Sequence, residues 1–123
     1  MKPGEVYRFI SGQHVVKPKY HLCISVGGGF LFLNSPKSKA FEGDLHIDAA
    51  DLPFLPATAE GYSVLSCSTV IQMTAAELRK CKAELIGEAS RSVLVKLCDF
   101  VEDAEFLTEE ERELILSGIE DWL

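Results

Sequence analysis

The apolar positions change rhythm near residue 74. Before it they come in short runs broken by turn residues, and after it they recur at three- and four-residue spacing. Val6–Ile10 is β-branched and aromatic and follows Pro3-Gly4, which predicts a strand. Tyr20–Val26 predicts a second strand and Phe30–Leu33 a third, joined by Gly27-Gly28-Gly29. A glycine link between two apolar runs predicts a hairpin, because glycine reaches positive φ without steric cost. Centred on Gly28, that hairpin sets His21 opposite Ser35. Asp44–Ile47, Ser63–Cys67 and Thr69–Met73 complete the predicted strands, and Leu52, Phe54 and Leu55 are the inward residues of a proline-bearing loop over 48–59.

Thr74-Ala-Ala-Glu77 and Thr108-Glu-Glu-Glu111 both read as capping boxes, in which a threonine and a glutamate three residues on satisfy each other's backbone N–H. Helices are predicted over 75–85, over 90–101 from the spacing of Val93, Leu94, Leu97 and Val101, and beyond Thr108 from Leu114, Ile115, Ile119 and Trp122. Asp48 and Asp51 are placed to cap a short turn at Ala49-Ala50. Strands followed by helices give an α+β class: a small β-barrel or strongly bent sheet of five to six strands, with C-terminal helices. The 123 residues suit a single domain, with 1–73 as barrel and 74–123 as a helical part packed on it.

Charge refines this picture. The net value of −7 hides an asymmetry. Residues 1–39 carry six bases and one acid; residues 99–123 carry one base and ten acids. A chain that is acidic overall is a poor general binder of nucleic acid, but its first third can still hold an anion. The N-terminus lacks the apolar stretch of a secretory signal, and no apolar run approaches the ~18 residues of a membrane span. The four cysteines, Cys23, Cys67, Cys81 and Cys98, form no C-x-x-C pair and read as reduced core thiols of a cytoplasmic protein.

The candidate chemistry lies in the basic third. His14, His21 and His46 show no metal-ligand spacing, so no metal and no cofactor is expected. The three glycines lead into a strand, whereas a phosphate loop needs a helix N-terminus after them. What remains is a cluster of His14, Lys17, Lys19 and His21 on one strand and its approach, with Asn34 and Ser35 on the next. Cations, an imidazole and a hydroxyl at one sheet rim can hold a phosphodiester and stabilise charge on it.

The order of elements resembles the PemK/MazF family of toxin ribonucleases. Lys2-Pro-Gly-Glu-Val-Tyr7 resembles the family's opening strand. Lys17-Pro-Lys-Tyr-His-Leu-Cys-Ile-Ser25 resembles the second and Phe30-Leu-Phe-Leu-Asn-Ser35 the third. Ser63–Met73 into Thr74-Ala-Ala-Glu-Leu78, and Leu85-Ile-Gly-Glu-Ala-Ser90 into a helix, match in order. The resemblance implies an SH3-like barrel, metal-independent cleavage of single-stranded RNA, a homodimer and a neutralising antitoxin. It places Ser35 where the family has its hydroxyl residue, and Lys19 near its arginine. Lys17 would then hold the phosphate with Lys19, and His21 would move the proton. The chain departs from the family at one telling point: Lys19-Tyr20 stands in place of Arg-Pro, and lysine lacks the bidentate fork of a guanidinium. That departure leaves a rival expectation, a non-catalytic barrel that docks a peptide or a second copy through Tyr20, Phe41, Phe54 and Tyr62.

Overall fold

The computed structural model describes residues 1–11, 17–36, 39 and 41–123. His14 lies outside the described residues, so its place in the predicted cluster has no structural account. The fold is α+β. Six strands, β1 (Glu5–Phe9), β2 (Lys19–Cys23), β3 (Gly29–Asn34), β4 (Asp44–Asp48), β5 (Tyr62–Gln72) and β6 (Glu84–Glu88), form one open antiparallel sheet in the order β4-β5-β3-β2-β1-β6. Three α-helices join it, α1 (Ala75–Lys80), α2 (Arg91–Glu102) and α3 (Glu109–Glu120). Among the described residues no helix is long and apolar enough to cross a membrane.

Two predicted strands prove to be one. Residues 62–72 run as a single strand that first pairs with β4 and then stays on β3. Its register against β3 jumps between Phe30 and Phe32, where several extra β5 residues are looped past two of β3. Such a bulge bends a strand and raises its twist. The polar run around Ser66–Thr69 that reads as a break is this bend.

A second correction concerns residues 84–88. The predicted helix runs to residue 85, yet 84–88 form the edge strand β6 beside β1. The helix before them is only six residues long. Lys82, at φ 56°, turns the chain out of it. The C-terminal half is therefore not a purely helical part, because it supplies one strand of the sheet.

One face of the sheet packs against α2 and α3. Val6, Leu22, Leu31, Leu33, Leu45, Ile47 and Leu65 meet Val93, Leu97, Val101, Ile115 and Ile119 in the main core. The opposite face carries a smaller cluster of Phe9, Cys23, Phe30 and Leu78, covered by α1. Alternate residues of each strand supply the two cores, as the two-residue period of a strand requires. The predicted inward loop residues behave as expected: Leu52 is buried, and Phe54 and Leu55 pack against the main core.

Phe54 has a further role. Its ring lies against Gly87 of β6, where an added Cβ would come within 2.5 Å of the ring carbons. A loop that leaves edge strand β4 thereby reaches the opposite edge strand. The sheet curls toward closure without the edge strands pairing, and an aromatic plug fills the gap. On the β4 side, Lys96 of α2 donates to the His46 carbonyl at 2.8 Å. Both predicted capping boxes are present in full at Thr74 and Thr108. Asp48 caps the short 3-10 turn 49–51 by accepting from the Ala50 N–H.

Candidate functional site

The β2–β3 hairpin sets the geometry. Its register pairs Tyr20 with Leu33, His21 with Phe32, Leu22 with Leu31 and Cys23 with Phe30. The centre falls between Val26 and Gly27, not at Gly28. Ser25 causes the offset. Its carbonyl accepts from Gly28 N–H at 3.1 Å, and its hydroxyl accepts from Gly29 N–H at 3.0 Å. The turn is thus Ser25-Val26-Gly27-Gly28, with Gly28 at φ +94°. An odd shift in register moves each side chain to the other face.

His21 and Ser35 consequently do not face each other. His21 shares a face with Phe32 and lies wholly inside the protein. Its ring stacks on Phe9 at 3.8 Å, tilts against Phe32 at 4.9 Å and meets the Phe30 ring edge to face. Nδ1 lies 2.9 Å from the Lys19 carbonyl, the one acceptor shown for it, so this nitrogen carries the proton. Nε2 is enclosed without a partner. Burial drives the pKa from 6.5 down to about 4, against a smaller upward pull from the Lys19 and Tyr7 carbonyls. This imidazole is neutral at pH 7 and has no path to a rim ligand.

Of the remaining predicted residues, Asn34 and Ser35 line one cavity, and the two lysines lie outside that lining. Continuing the register by one step sets Lys19 beside Asn34, and Ser35 follows at the strand end. Lys17 and Lys19 are both exposed. The Lys19 ammonium sits 5.5 Å from the Phe32 ring centre, a cation–π contact. Asn34 Nδ2 donates to Ser66 Oγ at 3.0 Å, which fixes the amide. Beside this rim is a cavity of about 110 Å³, lined by Tyr20, Leu33, Asn34 and Ser35 of the hairpin, by segment 55–58, and by Ser63. Thr58 holds its loop in place by donating to the Tyr62 carbonyl at 2.9 Å. Thr58 and Ser63 carry no signal of their own in the sequence; the loop before β5 brings Thr58 to the rim, and the pairing of β5 with β3 brings Ser63.

The four aromatic residues of the rival docking surface are dispersed. Tyr20 lines the cavity, Phe54 is the plug against Gly87, and Tyr62 stacks on His46 at 4.4 Å. Phe41 is exposed in the β3–β4 loop. Two of the four cysteines expected in the core are buried, Cys23 and Cys67, while Cys81 and Cys98 are only partly buried; burial pushes Cys23 up to about 11 and Cys67 up to about 12, so neither is a thiolate nucleophile. Among the described residues no three of His, Cys, Asp and Glu converge as a metal-binding set. In comparisons with known proteins, no family model and no curated protein matches the chain.

Proposed function

We propose that the chain is a PemK/MazF-like toxin or toxin-derived protein that takes single-stranded RNA on the rim of its curled sheet. The observation that supports this reading is the end of the β2–β3 hairpin, where Lys17 and Lys19 are exposed and Asn34 and Ser35 line a neutral cavity. Two exposed ammonium groups attract a phosphodiester at long range, and an amide and a hydroxyl next to them give it hydrogen bonds. In the cleaving form of this reading, the RNA 2′-hydroxyl attacks its own phosphorus and the bond to the 5′ oxygen breaks. The products carry a 2′,3′-cyclic phosphate and a 5′-hydroxyl. Lys19 and Ser35 stabilise the charge that builds on the phosphoryl oxygens. His21 takes no part. A homodimer and an antitoxin belong to the same reading as partners, with Val26, Leu85 and Trp122 among the exposed apolar side chains open to them.

One observation favours a second reading, a binding module without cleavage. The imidazole that would move the proton is sealed, and no carboxylate or imidazole lines the cavity. Incubation with a long single-stranded RNA in excess chelator separates the two. The cleaving form gives discrete cuts with cyclic-phosphate ends, reduced by about 10² in Lys19→Ala and Ser35→Ala. The non-cleaving form gives salt-sensitive binding and intact RNA, with affinity falling roughly threefold for each lysine removed. Absence of both cuts and binding overturns the proposal.

A further inference from the structure

We infer that the cavity beside the rim is a slot for one unpaired nucleobase of pyrimidine size, and that Ser63 is its specificity-determining residue. This rests on the RNA-binding reading above and adds to it a division of labour, with phosphates on the lysines and a base in the slot. Three features of the slot point this way.

The first is hydrogen-bonding capacity that the protein does not use. Ser63 is 7% exposed, yet its hydroxyl makes no hydrogen bond among the described residues and opens into the slot. A ligand atom can therefore bond to this hydroxyl without displacing a bond within the protein. Among the described residues the Ser35 and Tyr20 hydroxyls likewise make no hydrogen bond. Asn34 spends its N–H on Ser66 and keeps its carbonyl oxygen. The set therefore offers donors and acceptors together, as the edge of a base requires.

The second is charge. No ionisable acid or base lines the slot apart from the Tyr20 phenol. A phosphate or carboxylate entering it would shed water without a counter-charge, which is costly. Lys17 and Lys19 lie outside the lining, at the start of β2 and just before it, with the Lys19 ammonium over Phe32 on the other face of the hairpin. The anionic part of the ligand is thus kept out of the slot and held next to it.

The third is size. About 110 Å³ is well below the roughly 300 Å³ at which whole small-molecule sites begin. The slot takes a protruding group and not an entire cofactor. Leu33, Leu55 and Pro56 give it apolar surface, and Tyr20 adds an aromatic wall of the kind on which bases stack.

The test uses the full chain and two kinds of probe. Binding of oligo-rU, oligo-rC and oligo-rA is measured at two salt concentrations for the native protein, Ser63→Ala and Lys19→Ala. The slot predicts at least about tenfold preference for the pyrimidine oligomers. Ser63→Ala should erase that preference and leave the salt slope unchanged, whereas Lys19→Ala should weaken all oligomers alike and flatten the slope. Free uridine at millimolar concentration, followed by amide chemical shifts, should perturb Thr58 and Ser63. Binding of RNA with no base preference, or a preference that survives Ser63→Ala, overturns the slot alone. Uridine shifts at Ser63 without any RNA binding uphold the slot and overturn the RNA reading. No RNA binding and no uridine shift overturn both.

Discussion

Bringing the pH from 7 to 4.5 is expected to remove about 2 kcal/mol of folding stability through His21 alone. Above pH 6.5 the imidazole is neutral whether the chain is folded or unfolded, so its contribution is complete there. Between pH 6.5 and about 4 the unfolded chain binds the proton and the folded chain does not. Stability therefore declines as pH falls through that window. The decline stops near pH 4, where the folded ring also protonates. Protonating it in place would put a cation between Phe9 and Phe32 and close to the Lys19 ammonium, which disfavours the charged form. Urea melts at successive pH values check the slope against His21→Phe, whose curve should lose this component and keep the part due to carboxylates. A ring titration of His21 by NMR with a midpoint near 6.5 would show that the imidazole meets water, contrary to its enclosure here.

Gly28→Ala is expected to cost about 3 kcal/mol and lower the melting temperature by about 10 °C. Two costs combine. Gly28 sits at φ +94°, in the left-handed region where a Cβ is strained. The added carbon would also collide with the Met73 carbonyl, and Met73 N–H donates to the Gly28 carbonyl at 2.9 Å, which ties the two backbones together. Gly27 is the internal control. An added Cβ there meets nothing nearer than the Ser25 hydroxyl at 3.8 Å, and its φ is not positive. Gly27→Ala should cost under about 1 kcal/mol by thermal melting. Equal losses for the two variants would contradict the Ser25–Gly28 turn, and with it the register that places Lys19 beside Asn34.

That register marks the line between what the sequence discloses and what it does not. The capping boxes at Thr74 and Thr108 are local devices, complete within four residues, and both are legible. So are β1 to β4, whose apolar runs are flanked by glycine, proline, serine, asparagine or aspartate. The hairpin offset is also local, but its signal is Ser25, which the three adjacent glycines overshadow. Residues 84–88 become a strand only because β1 pairs with them across nearly eighty residues of chain. Five residues with two glutamates and a glycine carry little strand preference of their own. The long β5 reads as two strands because its bend is polar.

The site divides the same way. Lys19 and Asn34 are neighbours in the register of a single hairpin, with Lys17 and Ser35 just beyond, so adjacent strands suffice to predict that backbone placement. His21 shares the Lys19 face by strand parity, but it lies one step further from the strand end, where Phe9 and Phe32 enclose it. Thr58 comes from a loop whose Phe54 packs against Gly87 on the far edge, and Ser63 from the start of β5 beside the end of β3. No periodicity in 49–61 announces that path. The charge asymmetry keeps its meaning: the acids of 99–123 lie on α2, α3 and their connection, while the rim lysines lie on β2 and its approach.

The most direct test of the account is an amide chemical-shift map of a short oligo-rU bound to the chain, in low salt and chelator. The account predicts shifts confined to Lys17–Tyr20, Asn34, Ser35, Thr58 and Ser63, with α3 unmoved. Shifts centred on α3, or on the His46–Tyr62 stack with the rim silent, would contradict it.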